Sequence, residues 1–177
     1  MAKVQNPFGE SETVAATSVK ADLERYAKAP AKLELALEKL SESKLRWKPN
    51  PKKWSIREIV CHLADSDIVG VARMNLVVAS SPEKPPTLSG YNQDLLAERF
   101  LYNTQDDVEA LQFFKYLRRR TTVLLKSLPN EAFEKYGIHD EAGKLTLAAL
   151  VKRYADHAER HLKQIETLKE MLQAQER

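Results

Sequence analysis

Two histidines, His157 and His161, stand four residues apart in the stretch His157-Ala158-Glu159-Arg160-His161. An α-helix turns about 100° per residue, so that spacing returns both side chains to one face, about 6 Å apart along the axis. Two imidazoles so placed can converge on one metal ion. The same face otherwise carries Leu147, Leu150, Tyr154, Ile165 and Leu168. Two polar rings therefore occupy a stripe that a helix normally buries, and a buried polar group must be paired or ligated. A catalytic metal site takes three protein ligands and keeps one position open. His62, one turn after Ile59 at the edge of another apolar face, is the candidate third ligand. Three neutral imidazoles leave the charge of a divalent ion uncancelled. Such a centre is a strong Lewis acid that lowers the pKa of bound water to about 7 or deprotonates a bound thiol.

The pattern is not that of the zincins, in which a glutamate directly follows the first histidine as general base. Ala158 holds that place, and Glu159 lies about 200° around the helix from His157, pointing away. No catalytic base is assigned; Asp65 and Tyr91 are the candidates. Asp65, three residues after His62, is placed either to orient a ligand or to pair along its own helix. Tyr91 follows a proline-containing loop and is placed to reach a pocket rim as a donor. Gln164, three residues after His161, either supports a histidine or bonds to backbone. Cys61 adjoins His62, but successive helical residues diverge by about 100°, so it reads as a buried structural thiol. His139, beside Asp140, reads as a surface residue. Arg118-Arg119-Arg120 spreads around a helix and reads as a solvated face.

Long helices must hold these groups. A helical pattern runs from Ser18 to about Leu40, with Pro30 expected to break or kink it. The second helix starts at a capping box, Ser55 with Glu58, flanked by the staple pair Trp54 and Ile59, and runs to about Ser80. Residues 81–90 hold three prolines and form a loop, and Tyr91 to Leu101 forms a short helix. A third long helix spans Thr104 or Asp106 to Ser127 and ends before Pro129. Residues 130–143 form a connection whose Phe133 and Tyr136 cover one end. The fourth helix runs from about Leu145 to Leu172. No repeat and no useful strand alternation is visible. The expectation is an all-α, up-down four-helix bundle with a long crossover between the second and third helices, a fold that commonly houses metal sites in its core.

Composition sets the bounds. At 177 residues the chain is expected to be one domain over 1–177, with 1–17 a loose N-terminal arm. A net charge of +3, from 28 basic and 25 acidic residues, gives no nucleic-acid footprint. One cysteine excludes an internal disulfide framework and suits a reducing compartment. No apolar run approaches the ~20 residues that span a bilayer, and no secretory signal is visible. The expected location is cytoplasmic.

The segments Trp54-Ser55-Ile56-Arg57-Glu58, His62-Leu63-Ala64-Asp65, and His157 through His161 to Gln164-Ile165 are similar in type and order to the DinB-like superfamily. That superfamily includes YfiT-type metal-dependent hydrolases and the bacillithiol and mycothiol S-transferases. The resemblance spans the second to the fourth helix. It implies a four-helix bundle with His62, His157 and His161 as ligands of one divalent transition metal, zinc or nickel. It also implies a small-molecule substrate, which extends to a low-molecular-weight thiol, and a homodimer. Both chemistries stay open: hydrolysis by activated water, or transfer of a thiol to an electrophile. The alternative of another class is a non-catalytic metal-binding or stress-responsive interaction module. Neither nucleic acid nor membrane is an expected partner.

Overall fold

The computed structural model describes the backbone of residues 9–175 and the side chains of residues 18–175. Six helices and three short strands follow in the order α1 (Gly9–Leu37), α2 (Glu42–Arg46), α3 (Ile56–Ala79), β1 (Thr87–Leu88), α4 (Gln93–Arg99), α5 (Asp107–Lys126), β2 (Tyr136–His139), β3 (Gly143–Thr146) and α6 (Leu147–Gln175). Of the arm expected over 1–17, residues 9–17 belong to α1 and residues 1–8 lie outside the described residues. Among the described residues no helix is long and apolar enough to cross a membrane.

The helix starts follow from side chains that satisfy the first-turn N–H groups. Ser55 Oγ accepts from Glu58 N at 3.1 Å, and Glu58 Oε2 accepts from Ser55 N at 2.6 Å, closing the capping box at the head of α3. Asp106 Oδ1 accepts from Val108 N and Glu109 N at the head of α5. Thr146 Oγ1 does the same for Ala149 N near the start of α6.

Helix direction follows from the two core clusters. One holds Leu23 and Tyr26 with Met74, Val77, Leu125, Leu147 and Tyr154. The other holds Ala29 and Leu33 with Ile59, Leu63, Leu111, Phe114, Ile165 and Leu168. Helices α1 and α6 run from the first cluster to the second, and α3 and α5 run back. The order is up-down-down-up, and the crossover from α3 to α5, carrying β1 and α4, connects two parallel helices as a bundle of this class requires. The closest packings are α1 on α6, α6 on α3, α3 on α5 and α5 on α1. The site therefore lies between antiparallel neighbours, α3 and α6.

Three expectations are corrected. Pro30 does not divide the first helix, which continues through it. Proline lacks the N–H that would bond the carbonyl four residues back. That carbonyl belongs to Tyr26, and Arg118 Nη1 donates to it instead at 3.0 Å. Arg118 itself is not on a solvated face; it is fully buried. Its Nε and Nη2 hold the buried Asp67 carboxylate at 2.5 and 2.9 Å, and Nη2 also donates to the Tyr154 carbonyl at 2.9 Å. One guanidinium thus touches all four long helices. Third, the connection after α5 contains the hairpin β2–β3, with β1 added in parallel to β2. Gly143, at φ +70°, makes the turn.

Candidate metal centre

The capping box fixes the start of α3, and His62 follows two turns later, buried at 1% exposure. His157 and His161 come from the facing turns of α6. His157 Nε2 lies 3.0 Å from His62 Nε2 and 3.1 Å from His161 Nε2. A tetrahedral ion bound by imidazoles at about 2.0–2.1 Å sets its ligand nitrogens about 3.3–3.4 Å apart. Two of the three pairs therefore stand at nearly the spacing a shared ion requires, and all three ligand atoms lie within 4.8 Å of one another.

Electrostatics prepare the same use. Burial pushes the imidazole of His62 down to about 3, helped by the neighbouring His161 and Arg160. Burial and then His161 push His157 down to about 2. Burial pushes His161 down to about 4, against the opposing hydrogen bond from Gln164. All three rings are neutral at pH 7 and offer lone pairs rather than protons. Gln164 Oε1 lies 3.1 Å from His161 Nδ1. An amide oxygen there accepts from Nδ1–H, which leaves the Nε2 lone pair free to ligate. Trp54 forms the wall behind the ligands, with its ring 4.6 Å from that of His62 and stacked on His161 at 6.0 Å.

A cavity of about 470 Å³ opens beside the triad, bounded by His157, His161, Ser66, Arg73, Tyr91 and Tyr154. Tyr91 thus stands on the cavity wall. Asp65 does not join the site: it accepts from the Tyr102 hydroxyl and faces a separate depression shared with Cys61. Cys61 is buried, and burial, followed by the charge of Asp65, pushes its thiol up to about 12, so it is inert at neutral pH. His139 is not a surface residue but is buried at the cavity edge. His139, Asp140 and Glu141 cluster there, yet His139 Nδ1 already accepts from the backbone N–H of Glu141 and Ala142. Among the described residues, the cluster whose nitrogens face one another is the triad, with His62 buried and His157 and His161 half-buried.

The sequence reading missed Arg73 and Trp54 as parts of this site. Trp54 carried a visible signal as the staple residue, but its second contact, on rings from α6, is non-local. Arg73 carried none: a lone arginine on an amphipathic helix reads as solvated.

Residues 25–165 match the family described as the DinB superfamily. The chain is 32% identical over 143 residues to a "Putative metal-dependent hydrolase" of Bacillus cereus, covering 81% of this chain and 80% of the relative. It is 29% identical over 140 residues to "Putative metal-dependent hydrolase YfiT" of Bacillus subtilis, covering 78% and 77%. The solved structure of YfiT from Bacillus subtilis, described as "a probable metal-dependent hydrolase with an unusual four-helix bundle topology", superposes with a TM-score of 0.80 at 23% identity, covering 97% of this chain and 93% of that one. The mycothiol-dependent maleylpyruvate isomerase superposes with a TM-score of 0.64 at 9% identity, covering 81% and 59%. These two superpositions establish the shared fold.

Proposed function

The chain belongs to the DinB superfamily, and on that premise we propose that it is a metal-dependent enzyme acting on a small molecule, with His62, His157 and His161 holding one zinc or nickel ion. The carrying observation is the convergence of three neutral imidazole Nε2 atoms at 3.0 and 3.1 Å beside an open cavity. When bound, the ion supplies Lewis acidity toward a water or a thiol. The protein supplies the rest. Gln164 fixes the tautomer of His161. Trp54 packs its ring against His62 and His161. Tyr91, on the wall, is the candidate proton donor. Asp65 is engaged by Tyr102 and is dropped from that role.

Of the two chemistries, thiol transfer is favoured. No carboxylate of α3 or α6 lines the cavity beside the triad. Asp65 is held by Tyr102, Asp67 by Arg118, and Asp156 and Glu159 by Arg25. Neither ligand-bearing helix therefore supplies a general base for water, and Glu141 is the carboxylate on the wall. A thiol activated at the metal needs no such base. The named thiol dependence of the isomerase that shares the fold is in keeping with that preference. A closed structural site would not keep a cavity against its ligands, which disfavours the non-catalytic module.

Elemental analysis of tag-free protein tests the proposal. The expected result is about one transition metal per chain, lost in His62→Ala and in His157→Ala. No metal after reconstitution with zinc or nickel would sink it. Activity on an ester or amide without added thiol selects hydrolysis; consumption of an epoxide or halo-compound in equal amount with a thiol selects transfer. We further propose a homodimer, as the family resemblance implies. Light scattering at micromolar concentration is expected to give twice the chain mass of 20.2 kDa, and the single mass overturns it.

A further inference from the structure

Three arginines among the described residues are buried, and two of them hold carboxylates. Arg118 grips Asp67, and Arg57 bonds Asp107 and Glu42. Arg73 is 7% exposed and has no carboxylate in ion-pair contact among the described residues. Its Nη1 donates to the Tyr154 hydroxyl at 3.2 Å, its Nη2 donates to the Ser89 carbonyl, and its buried Nε has no acceptor. Asp140 is near enough for the charge of Arg73 to help lower its carboxyl, but it does not bond the guanidinium. A buried cation without a bonded counter-ion is costly unless something else supplies the negative charge.

Arg73 also lines the cavity beside the triad. It lies on the same helix as His62, with Ser66 on the wall between them. Its placement is built rather than incidental. Gly70 lets the Tyr154 ring lie directly on α3: a Cβ there would stand 2.5 Å from Tyr154 Cζ. That close approach brings the phenol oxygen to the guanidinium. The Ser89 carbonyl, on the segment after β1, fixes it from the other side. The cavity wall carries two further arginines, Arg153 and Arg160, against one carboxylate, Glu141. Its field therefore favours an anion.

We propose that Arg73 binds a carboxylate carried by the small molecule handled at this cavity. The inference rests on reading the cavity as the substrate site. Nη1 and Nη2 each commit one hydrogen to Tyr154 and Ser89 and Nε is shielded from solvent, which leaves the second hydrogens of Nη1 and Nη2, a fork that a planar carboxylate accepts from in bidentate fashion. A dianionic phosphate is disfavoured by Glu141 on the wall and by Asp140, which is held at the mouth on Gly90 N at 2.7 Å.

The test uses full-length, metal-free, isotopically labelled protein at pH 7 and constant ionic strength. Acetate, acetamide and inorganic phosphate are titrated separately while the arginine Nε–H resonances are followed. Acetate is expected to shift the Arg73 signal saturably. Acetamide is expected to leave it unchanged, and phosphate to bind at least tenfold more weakly than acetate. Arg73→Met should weaken acetate at least tenfold, Arg73→Lys should keep part of the affinity, and Arg119→Met, on an exposed site of α5, should change nothing. A non-saturating acetate response, tighter phosphate binding, or acetate affinity that survives Arg73→Met overturns the proposal. The wild-type resonance reports directly, so a variant that fails to fold leaves the test standing. Metal content is measured in parallel on the same proteins after reconstitution with zinc or nickel. Lost acetate binding with metal retained sinks only the carboxylate assignment; absent metal with acetate bound sinks only the triad.

Discussion

Gln164 decides which nitrogen of His161 is available. Its carbonyl oxygen holds Nδ1–H at 3.1 Å and so directs the Nε2 lone pair toward the other two rings. Removing such a partner typically costs 10–100-fold in metal affinity. Gln164→Leu is expected to fall in that range in a chelator competition, with the fold unchanged by circular dichroism; equal affinity would mean that packing alone orients the ring. The depressed pKa values of the triad carry a pH consequence. Unfolded histidine titrates near 6.5, whereas the folded rings titrate at about 3, 2 and 4. Below about pH 6.5 the unfolded chain binds protons that the folded chain does not, so stability falls with pH. The loss continues until the folded values are reached, while above about pH 7 the contribution is complete. In metal-free protein the urea midpoint should therefore drop between pH 6.5 and 4.5, and His157→Leu should shallow that slope. An identical slope in the variant would disprove the assignment. The triad was legible in sequence because a spacing of four on an apolar stripe is local information. The role of Asp65 was not, since the Tyr102 hydroxyl that takes it comes from 37 residues away.

Among the elements, the long helices were legible from their period and caps; the structure moves most of their ends by only a few residues from the sequence-based expectation. What was not legible depended on partners in other helices. Arg118, Arg119 and Arg120 are equivalent in sequence, and only the placement of Asp67 on α3 selects the first for burial. Pro30 was expected to interrupt α1 because the acceptor relief from Arg118 comes from α5. The strands escaped notice because β1 has two residues and pairs with β2 across about 50 positions. The Arg118–Asp67 pair carries a prediction. Breaking a buried pair from one side costs about 3–5 kcal/mol, because the remaining charge is stranded. Arg118→Met should lose about that much in urea unfolding, and Arg118→Met with Asp67→Leu should recover part of it. A double variant no better than the single one would show that the two backbone carbonyls, not the carboxylate, dominate.

At the scale of the whole molecule, the three histidines come from two antiparallel neighbours, so an ion held by them would staple α3 to α6. The other two helices supply none of the three histidines. Arg118 links what such an ion would not, because its contacts reach Tyr26 on α1, Asp67 on α3 and Tyr154 on α6 from its own place on α5. A partly assembled bundle that lacks any one of these helices holds a guanidinium or carboxylate out of water with a partner missing. Half-built states are therefore raised in free energy relative to both the complete bundle and the open chain. The bundle should come apart in a single step, with the calorimetric enthalpy equal to the van't Hoff value for metal-free protein. In the Arg118→Met, Asp67→Leu chain, that all-or-none character should weaken before the fold itself is lost.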